Sequence, residues 1–186
     1  MANSPDIDWS GIPAPEDDGR AGHLAGMTLP SMLLASTGGA DVDLAGLAGL
    51  TIVYLYPKTG VPGTPLPEGW DGIPGARGCT PQSCAFRDHF ADLKALGVDH
   101  LFGLSTQATD YQAEAKTRLA LPFDLLSDAS LAFARALDLP TFEAGGETLL
   151  KRMSLAIEAG RVVDVIYPVF PPDRNAELVE AWLRAR

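Results

Sequence analysis

The run Thr51-Ile52-Val53-Tyr54-Leu55-Tyr56 restricts the fold more than any other stretch, because it is β-branched or apolar at both odd and even positions. A strand with one wet face alternates; one that is apolar on both faces belongs at the centre of a sheet, covered by helices on each side. Pro57 ends the run. Residues 58–77 then hold four prolines and five glycines in twenty positions, which excludes regular structure. A loop of this length in a compact domain is functional or mobile. Apolar residues at Phe86, Phe90, Leu93 and Leu96 predict a helix over 80–96, closed by Gly97 as its C-cap. The strand and helix pattern then repeats. His100–Thr106 reads as a second buried strand, and Asp110–Leu119 as an amphipathic helix capped by Thr109 or Asp110. Pro122–Leu126 reads as a short strand and Leu131–Leu137 as a short helix. Arg152–Ile157 and Val162–Tyr167 flank the turn Glu158-Ala159-Gly160 as a hairpin, and Asn175–Arg186 closes the chain as a helix. Before the central strand, Met27–Pro30, Met32–Ala35 and Val42–Leu44 read as short edge strands around a Gly38-Gly39 turn.

The sum is an α/β fold, a central mixed β-sheet flanked by helices. With 186 residues, 46% of them hydrophobic, the chain holds one domain with a sizeable core, taken as 23–186. Residues 1–22 are rich in Pro, Asp and Gly and read as a flexible lead-in, with Trp9 and Ile12 as its only anchors. A formal net charge of −10 argues against nucleic acid or an anionic membrane surface as partner. The absence of a signal-like start or a long apolar run leads to the expectation of a cytoplasmic protein.

Chemistry concentrates at Gly78-Cys79-Thr80-Pro81-Gln82-Ser83-Cys84, which holds both cysteines of the chain, five residues apart. Cys79 falls where a helix begins. The first N–H groups of a helix lack internal partners and carry the positive end of its dipole, so a thiolate there is stabilised and a lowered thiol pKa is expected. In a reducing compartment such a pair is catalytic or redox-sensing rather than a structural staple. Helical residues five apart have Cα atoms roughly 8.6 Å apart, beyond the ~7 Å a disulfide spans. Bonding the two therefore requires local unwinding. Two cysteines and three scattered histidines (His23, His89, His100) do not form a four-ligand zinc set, so neither metal nor cofactor is expected. His89 reads as a surface or boundary residue, and Tyr54, Phe86, Phe90 and Phe123 as core.

A strand ending in Tyr56-Pro57-Lys58, Gly78-Cys79-Thr80 opening a helix, a second Cys at 84 and Phe86-Arg87-Asp88 after it resemble the peroxiredoxins, most closely the peroxiredoxin Q or bacterioferritin-comigratory-protein type. Thr28-Leu29-Pro30, Gly103-Leu104-Ser105, Leu121-Pro122-Phe123 and Leu126-Ser127-Asp128 extend the likeness in order from about Gly26 to the end. The resemblance implies a thioredoxin-like fold and reduction of hydrogen peroxide and organic hydroperoxides. It makes Cys79 the peroxidatic cysteine, Cys84 the resolving one and Arg152 the arginine aimed at the reactive sulfur, with Arg77 a second candidate for that arginine, and it places Pro57, Thr80 and Arg77 on the substrate side. It implies a thioredoxin or similar dithiol as reductant, and a monomer or homodimer.

The chain departs from the family pattern in one place. The family's proline, three residues, Thr or Ser, two residues, Cys is interrupted here by about fifteen extra residues, and Ala76 stands three before Cys79. Thr59 or Thr64 would have to fold back to supply the missing hydroxyl. Two rival functions follow from the residues themselves. One is a non-enzymatic redox switch whose Cys79–Cys84 disulfide exposes a partner surface. The other is general disulfide exchange, which favours a CxxC spacing that this chain lacks.

Overall fold

The computed structural model describes residues 7–186. The central run forms β3 (Leu50–Leu55), buried at every position. It pairs in parallel with β4 (Val98–Ser105) and antiparallel with β8 (Met153–Glu158). β5 (Asp124–Ser127) continues the sheet in parallel beside β4. Beyond it lie β1 (Leu33–Ser36) and β2 (Val42–Asp43), while β9 (Arg161–Ile166) forms the other edge, giving the order β2-β1-β5-β4-β3-β8-β9. This mixed sheet is thioredoxin-like, as expected.

The period of two along β3 divides the core. Val53 and Leu55 face a layer with Leu24, Leu104, Phe133, Leu137 and Leu155. Ile52 and Tyr54 face the opposite layer with Phe86, Leu93, Leu125, Val179 and Leu183. Each fully buried side chain of this size contributes ~1.5–3 kcal/mol, and burial is complete enough that Thr51 in the same strand leaves its Oγ1 without a partner among the described residues. The coverage is lopsided. α1 (Cys79–Asp88), α2 (Phe90–Ala95), α3 (Thr109–Arg118) and α5 (Asn175–Ala185) lie on the Tyr54 side, and α4 (Ala132–Leu137) lies on the other. β8 and β9 meet in a two-residue turn with Ala159 at φ 48° and Gly160 at φ 70°, the left-handed pair that a tight hairpin requires.

Several expectations are corrected. The helix expected over 80–96 is two helices, broken at His89 (φ −90°, ψ 3°); Phe86, Phe90 and Leu93 all still reach the core, so the apolar spacing hides the bend. The residue preceding α3 is Ala108, and neither Thr109 nor Asp110 caps the helix. A hairpin absent from the sequence reading, β6 (Thr141–Ala144) and β7 (Glu147–Leu150), stands apart from the main sheet. Within 58–77 a single 3-10 turn forms at Trp70–Gly72, and the buried Trp70 packs with Ala76, Ala144 and Leu149. The insertion is thus fastened to β6–β7. The lead-in does more than hang from two anchors: over 7–22, Trp9 donates to Asp173 (3.0 Å), Asp18 pairs with Lys151 (2.7 Å) and Ala21 is buried. Residues 1–6 of the expected lead-in lie outside the described residues.

Candidate active site

The site grows from the sheet register. Leu55 pairs with Met153, so Tyr56 and Arg152 leave the carboxyl end of β3 and the amino end of β8 side by side. Pro57 then turns the chain, and Lys58 brings its backbone N–H to 3.4 Å from Cys79 Sγ. Cys79 is the first residue of α1, at 3% exposure. Its place there is fixed by Gly78, which precedes the helix at φ +105°. A Cβ on Gly78 would come within 2.5 Å of Pro172 Cγ and 2.8 Å of Trp9, so only glycine fits. Pro81 carries no N–H, and the first helical bond runs from Gln82 N to Gly78 O at 3.0 Å. The N–H groups of Cys79 and Thr80 are consequently free of helical partners.

Arg152 is 3% exposed and faces a set of acceptors. Its Nη1 donates to Gln82 Oε1. Its Nη2 is shared among Gly75 O (3.2 Å), Ala76 O (3.3 Å), Arg77 O (3.1 Å) and Cys79 Sγ (3.4 Å). Among the described residues no carboxylate pairs with it, and its Nε has no partner. A buried cation is costly without a counter-charge. Among the described residues, the one group bonded to it that can carry negative charge is the Cys79 sulfur, which also lies 3.6 Å from Ala76 O. Gln82, fully buried, is held in turn by Leu55 O at 3.4 Å. The sequence reading missed Gln82, although it lies three residues beyond Cys79 and so on the same helix face.

The other predicted residues fall as follows. Arg77 does not join the sulfur: its side chain is exposed and pairs with Asp71 at 2.9 Å, leaving only its carbonyl in the site. Pro57 is buried, and Thr80 is half-buried beside Cys79. Thr59 does not supply the missing hydroxyl to the sulfur, because its Oγ1 donates to Gln107 Oε1 at 3.1 Å; Thr64 is exposed in a turn closed by its N–H on Val61 O. Both cysteines are free thiols. Cys84 is half-buried, on the same unbroken helix as Cys79 but about 140° further round it. Burial pushes the Cys84 thiol up, with the Arg87 guanidinium opposing. A cleft of about 330 Å³ walled by Ile73, Pro74, Phe142 and Tyr167 also touches Arg152, but Cys79 does not line it. Elsewhere, His89 and Glu180 lie 2.6 Å apart with Asp92 near, a group with the ligand types for a cation but already joined by that hydrogen bond.

Fold and site together define a thioredoxin-like protein with a buried cysteine at the head of a helix and an arginine directed at its sulfur. The chain belongs to the redoxin family, whose model matches residues 24–181. Its relatives within that family are peroxiredoxins of the Q and Bcp type. Peroxiredoxin Bcp of Escherichia coli is 27% identical over 164 residues, covering 86% of this chain and 95% of that protein. The chloroplastic peroxiredoxin Q of Oryza sativa subsp. japonica is 30% identical over 152 residues, 81% of this chain and 62% of that one; this chain therefore matches less than two thirds of the rice protein's length. Among solved structures, peroxidoxin BcpB of Mycobacterium tuberculosis superposes with a TM-score of 0.68 at 25% identity, over 87% of this chain and 96% of its own. Peroxiredoxin Q of Xanthomonas campestris shares the fold, with a TM-score of 0.66 at 24% identity over 87% and 98%. No helix among the described residues is long and apolar enough to cross a membrane.

Proposed function

We propose that this protein is a thiol-dependent peroxidase acting on hydrogen peroxide and organic hydroperoxides. The observation that supports it above all is the buried Arg152, with no carboxylate partner among the described residues, bonded to Cys79 Sγ at 3.4 Å. In this reading the Cys79 thiolate attacks the terminal oxygen of the hydroperoxide. The S–O bond forms as the O–O bond breaks, sulfur is oxidised to the sulfenic acid, and the departing oxygen takes up a proton and leaves as water or alcohol. Arg152 Nη2 and the Lys58 N–H stabilise charge as it moves from sulfur to the departing oxygen. Cys84 then condenses with the sulfenic acid, releasing water and forming a disulfide. Because α1 is continuous from Cys79 to Asp88, that step requires its first turns to unwind. A thioredoxin or similar dithiol restores both thiols by exchange.

The test is consumption of hydrogen peroxide and of a bulky organic hydroperoxide by the full chain and by Cys79→Ser, with a thioredoxin system recycling the enzyme. Multiple turnover that needs Cys79 supports the reading. Oxidation that stops after one equivalent overturns it in favour of a redox switch, and turnover retained in Cys79→Ser removes the mechanism.

A further inference from the structure

The strand end that carries the Lys58 N–H opens directly into twenty residues without regular structure, apart from one 3-10 turn. A donor on such a segment would wander. It is instead held one residue later by a single side chain. Gln107 Oε1 accepts from both Thr59 N (2.9 Å) and Thr59 Oγ1 (3.1 Å), and Gln107 Nε2 donates to Thr59 O (3.1 Å). Both residues are buried, Thr59 at 1% and Gln107 at 7% exposure. The amide has one workable orientation, since turning it over would set NH₂ against N–H and oxygen against carbonyl. Gln107 itself does not move freely: its N–H donates to Ser105 Oγ (3.2 Å) and its carbonyl accepts from Ser127 Oγ (2.7 Å). Two outer ties add to the clamp, Lys58 Nζ to Glu147 (2.6 Å) and Arg118 Nη2 to Gly60 O (2.9 Å).

We propose that Gln107 is a positioning residue for peroxide reduction, fixing the backbone of Thr59 so that the Lys58 N–H stays aimed at Cys79 Sγ. It acts in a chain where Ala76 leaves no hydroxyl three residues before the cysteine, so a backbone donor held from the loop that follows the neighbouring strand β4 carries that task. Thr59 serves the clamp mainly through its backbone, which supplies two of the three bonds. This rests on the peroxidase reading above, but its test separates the two.

In a Cys84→Ser background, where Cys79 is the only thiol, two rates are measured: oxidation of Cys79 by hydrogen peroxide and its alkylation by iodoacetamide. Gln107→Leu, with Gln107→Asn as a second loss variant should Leu fail to fold, should slow oxidation roughly tenfold, the value of about one charge-assisted hydrogen bond. Alkylation should slow less, about threefold, because a less stabilised thiolate is scarcer but a stronger nucleophile. Thr59→Ala leaves both backbone bonds of the clamp in place and should cost less than Gln107→Leu. Equal oxidation rates in folded Gln107→Leu and its background protein would overturn the proposal. So would a Thr59→Ala loss as large as that of Gln107→Leu, since the hydroxyl would then be the working group. If peroxide oxidises Cys79 no faster than a free thiol while alkylation still follows Gln107, the clamp stands and the peroxidase reading falls.

Discussion

Arg152 and Cys79 approach to 3.4 Å across 73 residues of sequence, and the contact is a consequence of sheet register. Leu55 opposite Met153 sets Arg152 at the strand end from which Pro57 and Lys58 turn towards the head of α1. The guanidinium has two duties there. It faces the sulfur, and it satisfies the carbonyls of residues 75–77, which end the long insertion.

Replacing Arg152 with Met removes both duties, and two measurements tell them apart. The long apolar chain fills the same volume but supplies no donor, so the rate of Cys79 oxidation by peroxide should fall about 100-fold or more, as when one preorganised donor is removed from a site of developing negative charge. The three carbonyls lose a partner as well, so a lower Tm should accompany the kinetic loss. Stopped-flow oxidation together with thermal unfolding measures both. A variant with a lower Tm but an unchanged oxidation rate would show that Arg152 only holds the loop.

Cys84 offers a pH test. Its thiol is pushed up by burial against the helical layer, with the Arg87 guanidinium opposing. In Cys79→Ser, where it is the only thiol, the alkylation rate should therefore rise with pH along a curve whose midpoint lies above that of a free thiol, because the reactive thiolate appears only once that raised value is passed. In urea the burial is lost and the midpoint should drop towards that of a free thiol. A native midpoint at or below the denatured one would mean that Arg87 outweighs burial.

Trp70 is the rivet between the insertion and the β6–β7 hairpin, buried against Ala144 and Leu149 with Phe142 6.3 Å away, ring to ring. Trp70→Ala should cost about 3 kcal/mol or more. It should also raise hydrogen exchange across 60–77 before the central sheet responds, because β6–β7 forms no ladder with the main sheet. Uniform loss of protection over the whole chain would show that the insertion is part of one cooperative core.

The sequence made the central strand, the late hairpin and the start of α1 legible because each rests on local chemistry: a run apolar at both parities, a turn with Gly160, and glycine before a helix. The break at His89 was hidden because the helices on either side both keep apolar residues towards the core. The β6–β7 hairpin carried a turn signal at Gly145-Gly146 between Phe142 and Leu149, but its strands cover no large apolar face. The site divides in the same way. Cys79 announces itself by its place before a helix face. The family resemblance pointed to Arg152, but the residues around Arg77 and Arg152 do not by themselves say which of the two reaches the sulfur, since that depends on the pairing of Leu55 with Met153. Gln107 was illegible for the same reason, its partner lying 48 residues away.

Trp9 gives the last prediction. Its ring leans on Gly78 beside Pro172, its Nε1 donates to Asp173 Oδ2 at 3.0 Å, and it meets Phe170 edge-on at 6.2 Å. The lead-in thereby braces the first turn of α1, the part that the proposed mechanism requires to unwind before Cys84 can reach the oxidised Cys79. If that brace stabilises the intact helix by about 1 kcal/mol, the worth of one well-placed aromatic contact, Trp9→Ala should raise the rate of Cys79–Cys84 disulfide formation roughly fivefold. The initial oxidation of Cys79 should hardly change, because the hydrogen bond of Trp9 goes to Asp173 and not to Arg152 or Lys58. Faster resolution leaves the sulfenic acid exposed for less time, so the variant should also need more peroxide before Cys79 is driven on to the sulfinic acid. Rapid-quench trapping of the disulfide, with mass spectrometry of the sulfinic form over a peroxide series, reads both quantities. Slower disulfide formation in Trp9→Ala would instead mean that the indole guides the unwound segment towards Cys84 rather than holding the helix closed.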